Sequence, residues 1–236
     1  MFSVNAIASP TIHWGLGYEK PGDTPKGNAP ADYLAKFNTY YYGTSQNDEH
    51  TLFLTFDAGY ENGYTEKILD TLKENNVPAS FFLVGTYLCK NPELIKRMVD
   101  EGHIIGNHTM SHANMSNKSA QDFTTELRRF EEKYNLIVGS EIKKYYRPPE
   151  GVFSEGNLAA AKDIGYKTVL WSVSYADWDN KKQPSKEQAL NKLMPRLHPG
   201  AIILLHSTSA TSTDILPQLI AECHKMGYKF KSLDDL

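Results

Sequence analysis

One stretch limits the possible folds more than any other: Thr51-Leu-Phe-Leu-Thr-Phe-Asp57-Ala-Gly-Tyr60. An apolar run of strand-forming residues ends in a carboxylate, and a glycine follows two positions later. Leu52, Leu54 and Phe56 fall on one face of such a strand, and Thr51, Phe53 and Thr55 on the other. Apolar character on both faces predicts a strand covered on both sides, as in parallel sheets. Asp57 then stands at the carboxyl end of the strand, where α/β folds usually keep their chemistry. The plainer role for Asp57 is capping the helix that follows.

Beyond this stretch the pattern is strand, loop and helix, repeated. Strands are predicted at 51–57, 79–84, 103–108, 144–147, 167–173, 201–206 and 229–233. Ile68, Leu69 and Leu72 mark a helix over 64–75, and Pro92 opens another behind a possible Asn91 cap, closed by Gly102. Ser119-Ala-Gln-Asp122 resembles a capping box before Phe123, Leu127, Phe130 and Tyr134, and Ser185-Lys-Glu-Gln188 opens a helix in the same way. A last helix is expected over 215–226. The alternation argues for right-handed crossovers and a parallel sheet. With about seven units, the expected fold is α/β, a single (β/α) barrel, distorted or with seven to eight strands. No Gly-rich dinucleotide fingerprint follows any strand.

Residues 1–50 differ from the rest. Glycines and prolines punctuate them, with aromatics from Trp14 to Tyr42. They read as an extended N-terminal segment packed on a main domain of residues 51–236, with one short helix near 31–37; so many aromatics argue against a flexible leader. The 236 residues carry a net charge of -3 with scattered lysines and arginines, so no basic field points to nucleic acid. Cys89 and Cys223 fit no metal or redox spacing; one disulfide and two free thiols are both open. No apolar run approaches the roughly 20 residues of a spanning helix, so no stable membrane insertion is expected. Met1-Phe2-Ser3-Val4 does not begin a signal peptide.

The ionisable residues collect at strand ends. The predicted strands lead into Asp57, into Asn107-His108 with His112 beyond, into Arg147, into Asp177-Trp178, and into His206. In a barrel those ends converge on one face. On a helical turn, His108 and His112 would share one side and could hold a divalent metal such as zinc; surface pairs at this spacing also arise by chance. His206 could equally be a core histidine satisfied by a carbonyl. In Arg147-Pro-Pro-Glu-Gly151 the first free backbone N–H after Arg147 belongs to Glu150, which suits an oxyanion donor. Arg147 beside a carboxylate would keep it ionised; a surface proline turn is the alternative.

These residues resemble, in order, the five motifs of the polysaccharide deacetylases, carbohydrate esterase family four. The motifs are Thr55-Phe-Asp57-Ala-Gly59, His108-Thr-Met-Ser-His112, Arg147-Pro-Pro-Glu-Gly151, Trp171-Ser-Val-Ser-Tyr-Ala-Asp177-Trp178 and Leu204-Leu-His206. The resemblance covers roughly 51–233. Tyr60-Glu-Asn-Gly63, the Arg-Pro-Pro-Glu-Gly form and Ile12-His-Trp-Gly-Leu-Gly17 look most like the δ-lactam-biosynthetic de-N-acetylase branch, which acts on muramic acid in spore cortex peptidoglycan. The resemblance implies metal-assisted amide hydrolysis that releases acetate from an N-acetylated sugar. It makes Asp57 the general base, His108 and His112 the metal ligands, the Glu150 amide the oxyanion donor, and His206 the general acid. Asp177 would keep the His206 imidazolium charged, Arg147 would orient Asp57, and Trp178 would wall the sugar, with Tyr60 beside it in the substrate site. The partner is then the N-acetylmuramic acid of peptidoglycan strands. The location is expected to be outside the cell, on the cell wall or spore cortex side of the membrane.

Two departures bear on this. Most of the family has Asp-Asp where this chain has Asp57-Ala58, and the second Asp is a metal ligand. Its loss leaves two imidazoles with solvent or Asp57, so metal should bind weakly or be absent; Glu61 is a candidate substitute, and a surface-loop role the alternative. Ser174 stands where many relatives have Asp. Two other functions stay open: a deacetylase of N-acetylglucosamine polymers such as chitin, and a catalytically silent glycan-binding barrel.

Overall fold

The computed structural model describes residues 10–43 and 50–236; the chain start read for a signal peptide lies outside them. Its main sheet is parallel throughout. The strands are β1 (Thr39–Tyr40), β2 (Thr51–Ala58), β3 (Ala79–Leu83), β4 (Ile104–Asn107), β5 (Tyr145–Tyr146), β6 (Lys167–Val169), β7 (Val173–Ser174) and β8 (Ala201–His206), with β9 (Lys229–Phe230) against the start of β2. Their spatial order is β7-β8-β2-β3-β4-β5-β6-β1. The helices are α1 (Ala31–Ala35), α2 (Thr65–Glu74), α3 (Gly85–Lys90), α4 (Pro92–Asp100), α5 (Ala120–Val138), α6 (Glu155–Asp163), α7 (Lys186–Leu193) and α8 (Ala210–Lys225).

Strand alternation sorts the core into two layers. All eight residues of β2 are buried. Leu52, Leu54 and Phe56 join Phe81, Leu83, Ile105, Ile203 and Leu205 in the layer beneath the helices. Phe53 faces the other way, with Phe82, Ile104, Tyr145, Val169 and Ile202, and fills the barrel interior. Each such buried side chain contributes roughly 1.5–3 kcal/mol. Asp57 lies two and four residues beyond Thr55 and Phe53, so the same alternation aims it inward at the top of the interior.

The sheet is a curled, open barrel whose two edges are joined by the chain itself. The predicted strand over 167–173 is interrupted: β6 pairs with β1 and β5, whereas β7 pairs with β8 at the other end of the order. Leu170 N–H donates to the Tyr40 carbonyl at 2.8 Å and Ser172 N–H to the Ile202 carbonyl at 3.0 Å, so the partner changes between these residues. An isolated antiparallel bridge, Tyr42 with Ala201, ties the N-terminal segment to β8. Gly200 must be glycine there: its φ is 78°, and a Cβ would lie 2.1 Å from the Gly43 carbonyl oxygen.

The N-terminal segment has its own core: Trp14, Ala29, Leu34 and Tyr41 pack with Phe153, Leu158 and Leu170 of the barrel side. Its first ribbon, Thr11–His13, pairs antiparallel with Val152–Ser154. Three terminus readings need correction. The Asn91 side chain caps nothing and donates back to the Tyr87 carbonyl. Ser119 accepts from Asp122 N–H, but among the described residues a full capping box forms only at Ser185–Gln188. The last helix starts at Ala210, capped by Ser209, rather than near 215. Cys89 is exposed, Cys223 is buried, and both are free thiols.

Candidate active site

Five strand ends meet at one cavity of about 460 Å³, lined by Asp57, His108, His112, Glu150, Trp171, Ser174, Tyr175, Trp178, Leu204 and His206. A second chamber of about 360 Å³ shares Asp57, His108, His112, Trp178 and His206, and adds Tyr60 and Thr86 among others. The shared residues therefore sit between two arms of one groove.

Arg147 is fully buried. Its Nη1 donates to Asp57 Oδ1 at 2.7 Å, Nε to the Val169 carbonyl at 2.9 Å, and Nη2 to the Leu170 carbonyl at 3.3 Å. The guanidinium lies over the Phe82 ring, 4.1 Å from its centroid. One side chain thus supplies donors where the strand breaks after β6 and also fixes the carboxylate at the end of β2. Burial alone would raise the Asp57 pKa; the Arg147 charge and hydrogen bond, with His206 beside them, outweigh it, and the carboxyl is held below its ordinary value. Asp57 is therefore an ionised acceptor. It does not cap α2. That task falls to Glu61, whose Oε1 accepts from Gly63, Tyr64 and Thr65 N–H, while Oε2 accepts from Tyr87. A carboxylate so engaged is a helix cap and not a spare metal ligand.

His108 Nδ1 lies 2.8 Å from the Arg147 carbonyl, an acceptor only, so the proton sits on Nδ1 and Nε2 keeps its lone pair. Burial, helped by His112 and Arg147, pushes its pKa down to about 4 despite Asp57 and the carbonyl. The ring is neutral. Its Nε2 faces Asp57 Oδ2 at 3.5 Å, two acceptors that call for a proton donor or a cation near both. The exposed His112 ring lies 4.9 Å from His108, centroid to centroid. The pair is not on a helix, as its spacing suggested: Thr109 (φ 68°) and His112 (φ 57°) are left-handed residues of an irregular loop that folds the second ring back. Among the described residues no group of three or more His, Cys, Asp or Glu is placed to hold a metal. The donor chemistry fits a weakly held divalent ion on two imidazoles, because Ala58 offers no ligand and Asp57 Oδ1 is committed to Arg147.

Across the cavity, His206 Nδ1 lies 2.7 Å from Asp177 Oδ1, and His206 N–H donates to Asp177 Oδ2 at 2.8 Å. Asp177 is fully buried. Ser212 also donates to its Oδ2, at 2.6 Å; that hydroxyl proton being used, Tyr175 OH must donate to Ser212, also at 2.6 Å. Burial would lower the His206 pKa, but the Asp177 charge and hydrogen bond prevail and raise it above the ordinary value. The ring is paired with a carboxylate and not with a backbone carbonyl. Its side chain is 24% exposed, leaving Nε2 toward the cavity.

Glu150 adopts φ 58° and the following Gly151 φ 66°. For a residue with a Cβ this costs about 1–3 kcal/mol, and it turns the loop after Arg147 so that Glu150 lines the cavity. Trp178, 63% exposed, stands 6.4 Å from the His206 ring, and Tyr60, 52% exposed, is bonded by Asn180 across the mouth. Of the residues predicted for the site, Asp57, Tyr60, His108, His112, Glu150, Trp178 and His206 line this groove, while Arg147 and Asp177 stand buried behind Asp57 and His206. The sequence did not point to Ser212, in the first turn of a helix expected to begin later, or to Tyr175, hidden between Ser174 and Asp177.

A polysaccharide deacetylase family model matches residues 44–169. The chain is 42% identical to the peptidoglycan-N-acetylmuramic acid deacetylase PdaA of Bacillus subtilis over 98% of this chain and 88% of that protein. The structure of B. subtilis PdaA, a family 4 carbohydrate esterase, superposes with a TM-score of 0.90 over 96% of each chain. A peptidoglycan-N-acetylglucosamine deacetylase of Bacillus cereus is 35% identical over 99% of this chain and 84% of its own length.

Proposed function

Since the chain belongs to the polysaccharide deacetylase family, we propose that it removes the acetyl group from N-acetylmuramic acid in peptidoglycan. Acetate is released, and the freed amine leads to the muramic δ-lactam. Residues 51–236 carry the chemistry, and the reaction takes place outside the cell on the wall or spore cortex side. Among the described residues no helix is long and apolar enough to cross a membrane.

The observation that carries the reading is the opposed pair: a carboxylate held below its ordinary pKa and an imidazole held above its own, both lining one cavity. Asp57 takes a proton from water as the water oxygen bonds to the acetyl carbon. The Glu150 N–H receives the developing oxyanion. His206 gives its proton to the nitrogen as the carbon–nitrogen bond breaks, and Asp177 stabilises the imidazolium beforehand. Arg147 orients Asp57, and Trp178 and Tyr60 flank the sugar. When bound, a divalent ion such as zinc on His108 and His112 would polarise the water and the acetyl oxygen.

The test is acetate release with mass analysis of the sugars, using peptidoglycan stripped of stem peptides beside N-acetylglucosamine oligomers, with added zinc and with chelator. Muramic acid as the modified sugar, with a rate that zinc raises and chelator lowers, is expected. Acetate only from the oligomers would overturn the substrate, and a rate indifferent to chelator would remove the metal.

A further inference from the structure

We infer that Trp14 of the N-terminal segment is a positioning residue for the reaction, because it locks the loop that presents the Glu150 amide. The inference rests on the oxyanion role proposed for that amide. Glu150 and Gly151 both hold positive φ, 58° and 66°, and a non-glycine residue stays there only when its surroundings over-determine it. The surroundings are Trp14 and Trp171. The Trp14 backbone N–H, which any residue but proline would keep, donates to the Gly151 carbonyl at 2.9 Å, and the indole Nε1 donates to the Trp171 carbonyl at 3.0 Å, holding Trp171 against Gly151. Gly151 is wedged between them: a Cβ would lie 2.8 Å from the Trp171 ring and 3.0 Å from Trp14 Cβ.

Trp14 is itself firmly seated. Gly27 packs so close to the indole that a Cβ there would come within 2.3 Å, and the Tyr41 ring lies 4.9 Å away. The same segment reaches two other parts of the site. Thr11 Oγ1 donates to Ser116 Oγ at 3.0 Å, beyond the His112 loop, and Tyr18 OH donates to the Ser172 carbonyl at 2.8 Å, beside the cavity residues Trp171 and Ser174. A segment outside the barrel thus fixes the geometry of groups on three of its loops.

The experiment compares wild type, Trp14→Phe and Trp14→Ala in acetate release, thermal midpoint and amide hydrogen exchange over residues 147–154. Trp14→Phe keeps a ring in the seat and removes the indole donor. It should raise exchange in that segment and lower kcat about 10- to 100-fold, since small misplacements of an oxyanion donor cost this much. KM should change less than about twofold, as for an interaction made only in the transition state. Trp14→Ala should go further in the same direction. Unchanged exchange over 147–154, or a lower thermal midpoint with kcat retained by the folded enzyme, would reduce Trp14 to packing and overturn the inference. If wild type releases no acetate from any glycan, the deacetylase reading fails, while the exchange data still decide whether Trp14 holds the loop.

Discussion

Replacing Arg147 with lysine keeps the charge and removes the fork. The guanidinium serves three acceptors at once: Asp57 Oδ1, the Val169 carbonyl and the Leu170 carbonyl. An ammonium on a flexible stem that follows the carboxylate abandons both carbonyls and the flat contact with Phe82. A buried acceptor left without its donor costs about 1–3 kcal/mol, so the two carbonyls together put the expected loss at about 2–6 kcal/mol. For a chain of this size each kcal/mol lowers the thermal midpoint by about 2–4 °C. Urea unfolding of Arg147→Lys should therefore show a lower midpoint at unchanged slope. Arg147→Met goes further, because burial then acts on Asp57 without its main opposing charge. Its pKa rises, and the acid limb of the pH–rate profile moves to higher pH. A lysine variant with wild-type unfolding midpoint and kcat would refute the claim that this one side chain joins the strand break to the carboxylate proposed as general base.

Two further outcomes follow from the same geometry. The raised pKa of His206 means that its pairing with Asp177 contributes full stability below the unfolded histidine value of about 6.5 and loses that contribution as pH rises through the folded value. Activity should fall over the same upper window, and Asp177→Asn should move that alkaline limb to lower pH in a kcat profile. Glu61→Ala should cost about 0.5–2 kcal/mol, as the loss of a helix cap does, with zinc affinity by titration calorimetry unchanged; weakened zinc binding would restore Glu61 as a ligand.

The parts of this protein that were legible in the sequence are those set by local pattern. The run from Thr51 carries its own period of two, which fixed Asp57 on the interior face and at the carboxyl end. His206 ends β8 in the same way, His108 and Arg147 directly follow β4 and β5, and Asp177 follows β7 by three residues. What escaped depends on distant contacts or on weak local signals. Val169 to Val173 reads as one strand because each residue suits one; only the change of partner from β1 to β8 breaks it. His108 and His112 have helical spacing, yet two left-handed residues, not a helix, bring them together. The start of α8 is Ala-Thr-Ser-Thr, poor in helix formers, and its placement depends on the Ser209 cap and on Ser212 reaching Asp177. Glu61 resembles a loop carboxylate until α2 is seen to start four residues on.

The most direct test of the account is acetate release from stem-stripped peptidoglycan by wild type and Asp57→Asn, with both shown folded by their thermal transitions. The account predicts acetate in step with de-N-acetylated muramic acid for wild type, and a rate lower by about 10²–10⁴ for the variant, the usual worth of a positioned general base. Equal rates from the two proteins would contradict it, because proton transfer would then not run through the carboxylate at the end of β2.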